Sequence, residues 1–404
     1  MQPYEARFAA IFGADYYAFC FWKGRVALYS ILKALDLEET DQVILPGYTC
    51  AVVPNAIRYA GAQPIYADIA LGHYNLDPGS VEDRITSNTR ALIVQHTYGI
   101  PADVASLKRI ANKYGLCLIE DCAHVLVGSK YQGKLLGSLG KASFFSFQWS
   151  KPYTTGLGGM VVTRDRDLAK RLNEIQASFQ DPPLFQQSQL RLQYILYRSF
   201  FSPEIYWFSQ KSLHVMSRLG LFVGSSNARE LQGEKPSDVG WRMSRFQQRA
   251  GLAEIDELGQ NASHREFVSR HYLESLRQHG WPLERSFDFA GVNLLRFPIQ
   301  VARKTDLLAA SRHAHVEIGS WFESPLHPLP LQKHHLLGYQ LGSCPNAETA
   351  ASNVINLPLH PRVAETEAEK IVRFVLSHAS PASTTPPMSA SNRVSQKHRS
   401  VQDQ

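Results

Sequence analysis

The chain has 404 residues, of which 44% are hydrophobic and 19% charged, a composition typical of soluble proteins and long enough for a large domain and a smaller one. The formal net charge is +6, but the basic residues are dispersed and no nucleic-acid-binding motif accompanies them, so we expect no nucleic-acid polymer as a partner. The five cysteines are scattered and lack metal-site spacing, which predicts a cytoplasmic protein without a metal centre. No secretory signal and no run of about 18 to 20 apolar residues is found.

The first half of the chain alternates short apolar runs with amphipathic stretches. The apolar runs, rich in β-branched and aromatic residues, are residues 43–46, 64–69, 91–96, 117–121, 143–147 and 159–163. Helical periodicity separates several of them, as in Val104, Leu107, Ile110 and Ala111. This alternation predicts an α/β fold with βαβ units and a mainly parallel sheet that is buried on both faces.

The second half predicts a smaller unit. A helix is expected over about 243–258, and beyond it a strand at 293–301 is mixed with short helices. We therefore predict a large domain over 1–258 and a small C-terminal α+β domain over 259–379. The last residues, 380–404, are rich in Ser, Pro and Thr without an apolar period, and we predict a disordered tail there.

A helical insertion is expected at 183–235 within the large domain. Its segment 190–224 places Leu192, Ile195, Leu196 and Phe200 on one helical face and carries mostly basic charges, and Pro203 should divide it into two helices. Two interpretations stay open. The insertion packs on the body or on a partner subunit, or it lies as a peripheral helix pair on an anionic membrane surface.

A lysine with an unusual setting is the first candidate for chemistry. Lys151 stands between the aromatic run SFFSF and a glycine-rich turn rather than on a solvated helix face. Ser146, just upstream, offers a hydroxyl suited to a phosphate oxygen, and Gly156, Gly158 and Gly159 permit close backbone approach. A lysine amine of this kind can form a Schiff base with a carbonyl cofactor such as pyridoxal 5′-phosphate (PLP).

Three further groups complete such a cofactor site. Asp121 ends the apolar run CLIED, where open α/β sheets bind ligands, and its carboxylate could keep a pyridine nitrogen protonated. His124 follows three residues later and could donate to the ring or stack on it. Gly24 precedes a helix that begins near Arg25, so the amides of Arg25, Val26 and Ala27 should point at an anion.

The order of these motifs resembles a known family. GRVAL, LPGYTC, QHTYGIPAD, IEDCAH and SFFSFQWSKPYTTGLGG, followed by SPLHPLP, GSCPNAE and INLPLHP, are similar to the DegT/DnrJ/EryC1/StrS family of sugar aminotransferases over most of residues 15–378. The resemblance implies a fold-type I PLP-dependent transferase that works as a homodimer with active sites at the subunit interface. It also implies transfer of an amino group, usually from glutamate, to a keto-sugar nucleotide.

The resemblance also assigns roles to residues. Lys151 matches the Schiff-base lysine and proton shuttle, Asp121 the partner of the pyridine nitrogen, and His124 the position near the phenolic oxygen. Cofactor-binding roles are likewise implied for Gly24, Arg25, Val26 and Ser146 at the phosphate, and for Cys50 at the position that often stacks a ring over PLP. Relatives that are dehydratases have histidine in place of the lysine, so Lys151 favours amino transfer.

Three departures from the family pattern leave an alternative open. Cys50 replaces the stacking aromatic ring, so the cover could come from Tyr48 instead, and Leu157 replaces a carboxylate in the GLGG turn. The segment GWRMS at 240–244 lacks the asparagine that reaches the phosphate of the neighbouring subunit. The alternative is a catalytically degenerate PLP-binding protein with a regulatory or membrane-associated role.

Overall fold

This computed structural model describes residues 2–200, 223–224, 226, 229–283 and 291–382. Most of the predicted tail and the part of the predicted insertion that contains Pro203 lie outside the described residues. The first residues of the predicted tail pair with the body, because the amide of Ala382 donates to the Gln300 carbonyl at 3.1 Å.

A seven-stranded sheet forms the centre of the large domain. Its strands, in spatial order, are β1 (Tyr17–Phe21), β10 (Gly159–Thr163), β9 (Ala142–Ser146), β6 (Cys117–Asp121), β5 (Thr89–Gln95), β2 (Gln42–Pro46) and β4 (Gln63–Ala67). Every pairing from β9 to β4 is parallel, and β10 runs opposite to the other six strands, so that it pairs antiparallel with both β1 and β9. The predicted α/β architecture with a mainly parallel sheet is confirmed, and β1 is a strand that the sequence pattern did not predict.

Helices cover the sheet and extend beyond it. Those of the first half are α1 (Pro3–Phe12), α2 (Gly24–Ala34), α3 (Val52–Tyr59), α4 (Pro78–Glu82), α5 (Val104–Lys113) and α6 (Arg166–Ser178). Aspartates cap three of them, since the side chains of Asp77, Asp103 and Asp165 accept hydrogen bonds from amides in the first turn of α4, α5 and α6. One face of β2 and β5 packs in a buried cluster with α2 and α3, and the other face packs in a second cluster with α5, which explains why these strands are apolar on both sides.

A smaller sheet lies in the second half of the chain. Strands β11 (Arg296–Gln300) and β13 (Val354–Pro358) pair antiparallel, and helices α9 (Lys304–His313), α10 (Pro345–Asn353) and α11 (Glu365–His378) belong to the same part of the chain. Four short strands complete the set: β3 (Thr49–Cys50) pairs in parallel with β12 (Leu326–His327), and β7 (Lys130–Tyr131) forms a hairpin with β8 (Lys134–Leu135).

One long helix connects the two parts. Helix α8 runs from Arg245 to Gln278, and a capping box of Ser244 and Gln247 closes its first turn. It is 34 residues long, well past the predicted end at 258, because its buried face contacts α1 near its start and α11 further along. The predicted boundary between 258 and 259 falls inside this unbroken helix, and the division into 1–258 and 259–379 stays a prediction.

The predicted insertion begins with helix α7 (Leu184–Phe200). Leu190 is buried, while Leu192, Ile195 and Leu196 are 59%, 48% and 38% exposed, so the predicted apolar face points away from the body. An ion pair links the helix to the body, as Arg198 pairs with Glu254 of α8 at 2.7 Å. Among the described residues, none of the helices combines the length and the apolar character needed to cross a bilayer.

Candidate active site

The predicted site residues gather at one edge of the large sheet. Asp121 is the last residue of β6 and Ser146 the last of β9, and because these strands are parallel their carboxyl ends meet at the same edge. His124 and Lys151 follow these two strands directly, and Cys50 lies beyond the end of β2. The edge is thus the place where open parallel sheets bind ligands.

Lys151 lies in a turn that is closed by its own amide, which donates to the Gln148 carbonyl at 2.9 Å. Its Nζ lies 4.6 Å from the ring centre of Trp321. Within the described residues this Nζ makes neither a hydrogen bond nor an ion pair. Burial lowers the pKa of the Lys151 amine to about 8, and the nearby Arg296 cation lowers it as well, whereas Cys50 and Asp121 act in the opposite direction.

Asp121 is 2% exposed, and one carboxylate oxygen, Oδ1, accepts a hydrogen bond from the Ala123 amide at 2.9 Å. The other oxygen accepts none from the residues that the structure describes. Burial raises the pKa of this carboxyl to about 6, against the opposing influence of the Ala123 amide, Lys151 and His96. A positively charged partner such as a pyridinium nitrogen would favour the ionised form of Asp121 and lower this pKa again.

His124 is fixed by contacts on both of its sides. Its Nδ1 accepts a hydrogen bond from the Tyr98 amide at 3.0 Å, so the neutral ring carries its proton on Nε2. The ring lies 5.2 Å from that of Trp321 and stacks at 6.2 Å on Tyr98. Burial, together with the Lys151 and Arg296 cations, holds the pKa of His124 well below its usual range, which makes the ring a neutral donor.

The start of α2 meets the end of β9 at very short range. A Cβ atom on Gly24 would lie 2.7 Å from the Cβ of Ser146, so only glycine fits there. The Ser146 hydroxyl makes no hydrogen bond to any described residue and remains available to a ligand. The predicted set of free amides is only partly present, because Val26 and Ala27 both donate to the Lys23 carbonyl, at 3.0 and 3.2 Å.

Arg25 is held by protein groups. Its Nη1 forms an ion pair with the buried carboxylate of Glu230, and its Nη2 donates to Ser226 at 3.2 Å. The charge that was expected to face a phosphate therefore has a carboxylate beside it. A phosphate contact by Arg25 or Val26 stays a prediction.

The two residues proposed as a cofactor cover behave differently. Cys50 is half-buried opposite His327 in the β3–β12 pair, and burial raises the pKa of its thiol. Tyr48 is fully buried, with its hydroxyl 2.7 Å from that of Tyr98 and its ring packed edge-on against Phe322 at 5.0 Å. Tyr48 is therefore part of a buried aromatic cluster with Tyr98 and Phe322.

Trp321, Arg296 and Asn261 are neighbours of Lys151 that sequence reasoning missed. The Arg296 guanidinium carbon lies 5.1 Å from the ring centre of Trp321, and the Asn261 amide donates to the carbonyl of Pro152 at 2.6 Å. These residues come from the second half of the chain, more than a hundred positions away from Lys151. Arg296 lies in the predicted strand 293–301 and Trp321 lies shortly before SPLHPLP, but neither position indicates that these side chains reach Lys151.

The positions that depart from the family pattern make defined contacts in the structure. Leu157 is 1% exposed and packs with Trp22 and Leu190, so this position of the GLGG turn anchors helix α7 of the insertion. In GWRMS, Trp241 packs edge-on against Trp22 at 5.6 Å, and Arg242 pairs with Asp181 at 3.5 Å.

Three buried residues around Asp121 form a group of possible metal ligands. His96, Glu120 and Cys122 offer ligand atoms within 4.8 Å of one another, a spacing compatible with a metal ion. The Glu120 oxygens, however, already accept hydrogen bonds from the amides of Gly137, Leu139 and Gly140 and from His96. The trio is thus a structural hydrogen-bond centre.

The model of the DegT/DnrJ/EryC1/StrS aminotransferase family matches residues 1–191 and 209–376. The chain belongs to this family. The DegT/DnrJ/EryC1/StrS pattern identified by the order of sequence motifs is thereby confirmed, and the match extends through both halves of the chain.

Individual members of the family differ in how much they share with the chain. GDP-perosamine synthase of Escherichia coli O157:H7 is 41% identical over 171 residues, which make up 42% of this chain and 46% of that protein. The aligned part thus spans about half the length of this relative.

Two solved structures extend the likeness over most of the chain. The crystal structure of DesV from S. venezuelae in complex with a ketimine intermediate is 25% identical with a TM-score of 0.71, and the match covers 93% of this chain and 89% of DesV. The PLP form of Spr1654 from Streptococcus pneumoniae has a TM-score of 0.71 at 18% identity and covers 93% of this chain and 91% of that chain, which shows the fold alone.

Proposed function

We propose that this protein is a PLP-dependent aminotransferase that moves an amino group from glutamate to a keto-sugar nucleotide. The product would serve the biosynthesis of a surface polysaccharide, a lipopolysaccharide or a secondary metabolite. The observation that carries the proposal is that Lys151 Nζ and one oxygen of Asp121, both without a hydrogen-bond partner in the described residues, lie at the carboxyl edge of the sheet. Family membership supports the same reaction class.

The residues present fit the cofactor. The Lys151 amine would attach to the PLP aldehyde, Asp121 would pair with the pyridine nitrogen, and Ser146 beside Gly24 would bind the phosphate. The remaining candidates from the sequence, Arg25, Val26 and Cys50, line the same region, although Arg25 would act there as an ion pair with Glu230. When bound, PLP supplies an electron-withdrawing ring that stabilises negative charge at the α-carbon of the substrate.

Three side chains would then have separate roles in the reaction. The low pKa of Lys151, about 8, leaves a useful fraction of neutral amine near neutral pH, which can take a proton from the substrate α-carbon and return it. Asp121 keeps the ring nitrogen protonated. His124, neutral and protonated on Nε2, donates a hydrogen bond without adding charge.

The visible spectrum of the purified protein tests this proposal. We expect a cofactor absorption band that is absent in Lys151→Ala, unchanged in the exposed control Lys170→Ala, and bleached by glutamate. A panel of keto-sugar nucleotides should then restore the band and identify the acceptor. A band that resists glutamate and all other amino donors would instead favour the alternative, a degenerate PLP-binding protein with a regulatory role.

We also infer that the protein is a homodimer and that the outward face of α7 is covered by the second subunit. Leu184 and Phe185 are 80% and 70% exposed and continue the apolar surface of Leu192 and Ile195, and such contiguous apolar patches mark interaction sites. Sedimentation should give a dimer that dissociates in Ile195→Glu but not in Gln186→Glu, a control at a half-buried polar residue of the same helix. Flotation with anionic liposomes that depends on Ile195 would indicate peripheral membrane contact instead.

A further inference from the structure

The amine of Lys151 lies over the aromatic ring of Trp321. The centre of this ring is 4.6 Å from Lys151 Nζ, within the distance of about 6 Å over which an aromatic face attracts a cation. Among the described residues, this Nζ has neither a hydrogen bond nor an ion pair, and burial disfavours its charged form. An ammonium at this position therefore depends on the attraction that the ring supplies.

The loop that carries Trp321 is fixed by two side chains from other parts of the chain. The Tyr98 hydroxyl donates to the Trp321 carbonyl at 2.6 Å and accepts from the Phe322 amide at 3.0 Å. Lys304 Nζ donates to the carbonyls of Ser320 and Phe322 at 3.4 and 3.1 Å. The backbone on both sides of Trp321 is thus held from outside the loop, so the ring is preorganised beside the amine.

The titratable and charged side chains that face Lys151 are Cys50, Asp121, His124, Arg296 and His327. Burial keeps the two histidines and the thiol neutral, since it lowers the pKa of both histidines and raises the pKa of the thiol. The guanidinium disfavours a second cation nearby. Under the proposed function, the Asp121 carboxylate pairs with the pyridine nitrogen. Among the described side chains, the Trp321 ring then remains to favour an ammonium on Lys151.

We infer that the Trp321 ring stabilises the charged form of Lys151 during proton transfer and keeps its amine beside the reacting carbon. This inference rests on the proposed function, and it makes Trp321 a positioning residue because the ring acts through Lys151. The proton leaves the substrate α-carbon for Lys151 Nζ, and the electron pair of the broken bond stays with the substrate and the cofactor ring. The ammonium then lies over the negatively polarised aromatic face until it returns the proton.

The pKa of Lys151 in the protein without cofactor tests the contact. A trace of acetic anhydride acetylates neutral amines, so labelling of the Lys151 peptide at increasing pH, quantified by mass spectrometry, gives this pKa. We expect it to fall by about 0.5 to 1 pH unit in Trp321→Leu, to fall less in Trp321→Phe, and to stay unchanged in Phe267→Leu, which removes an exposed ring from α8. If the Trp321 ring only excluded water, its loss would hydrate Lys151 and raise the pKa instead. An unchanged or higher pKa in Trp321→Leu would overturn the inference.

Rapid-mixing kinetics of the PLP-loaded protein measure the role in proton transfer. The rate of bleaching at saturating glutamate should fall about 2- to 10-fold in Trp321→Leu and recover partly in Trp321→Phe, while the half-saturating glutamate concentration stays within about twofold. A raised half-saturating concentration with an unchanged rate would assign Trp321 to substrate binding and contradict the inference. If no amino donor bleaches the wild-type protein but the pKa of Lys151 still falls in Trp321→Leu, the proposed function fails and the contact between Trp321 and Lys151 stands.

Discussion

At the scale of single residues, Lys151 shows how burial prepares an amine for attack on an aldehyde. An ordinary lysine with a pKa near 10.5 is almost fully protonated at neutral pH and cannot act as a nucleophile. In this site, burial and the Arg296 cation disfavour the charged form and lower the pKa to about 8. The neutral, reactive form thus becomes available at a pH about two units lower.

Cofactor capture should therefore depend on pH in a defined way. When the protein without cofactor is mixed with PLP, the rate of band formation should rise with pH as Lys151 loses its proton, with a midpoint of about 8. Stopped-flow absorbance at pH values between about 6 and 10 measures this rate, and N-acetyl-lysine methylamide in solution serves as the control amine. In Arg296→Gln the midpoint should move to higher pH, because one source of the lowering is removed. A wild-type midpoint near 10.5 would contradict this account.

Individual site residues differed in how well the sequence predicted them. Lys151, Asp121 and His124 stand at strand ends in a fixed chain order, and both the edge of a parallel sheet and the family pattern select them. Trp321 and Arg296 reach the site only through the packing of the second half of the chain against the first, and their local sequence has no feature that indicates this.

At the scale of elements, the loop after the β7–β8 hairpin depends on one buried acid. Glu120 of β6 is fully buried, and its two oxygens accept hydrogen bonds from the amides of Gly137, Leu139 and Gly140 at 2.6 to 2.9 Å and one from His96 at 3.1 Å. The sequence could not indicate this role, because a glutamate before Asp121 looks like a second candidate for the active site.

Glu120→Gln should lower the free energy of unfolding by about 2 to 4 kcal/mol, because the new amide group meets buried amide donors that it cannot satisfy. PLP affinity should fall in parallel, since Asp121 is the next residue of the same strand. Urea unfolding compared with Glu369→Gln, an exposed change of the same chemistry, measures the loss. Equal stability of the two variants would show that the loop does not need the carboxylate.

At the scale of the whole molecule, helix α8 joins the two halves of the site. Asn261 donates to the Pro152 carbonyl at 2.6 Å, next to Lys151, and accepts from Arg265 at 2.7 Å. Arg265 in turn donates to the carbonyls of Leu294 and Leu295, just before Arg296. The overall α/β architecture followed from apolar periodicity, but this connection could not, since a predicted helix that ended at 258 contains neither residue.

Arg265→Met should therefore impair both halves together. Arg265 is 3% exposed, and its loss would leave two buried carbonyls and the Asn261 oxygen without their donor, at a cost of about 2 to 4 kcal/mol in the free energy of unfolding. Because the segments that carry Lys151 and Arg296 are held through the same side chain, PLP binding should weaken in the same variant. Urea unfolding and a PLP titration measure this, with the exposed Arg270→Met on the same helix as control. If stability falls but PLP binds as in the wild type, α8 holds the fold without positioning the site.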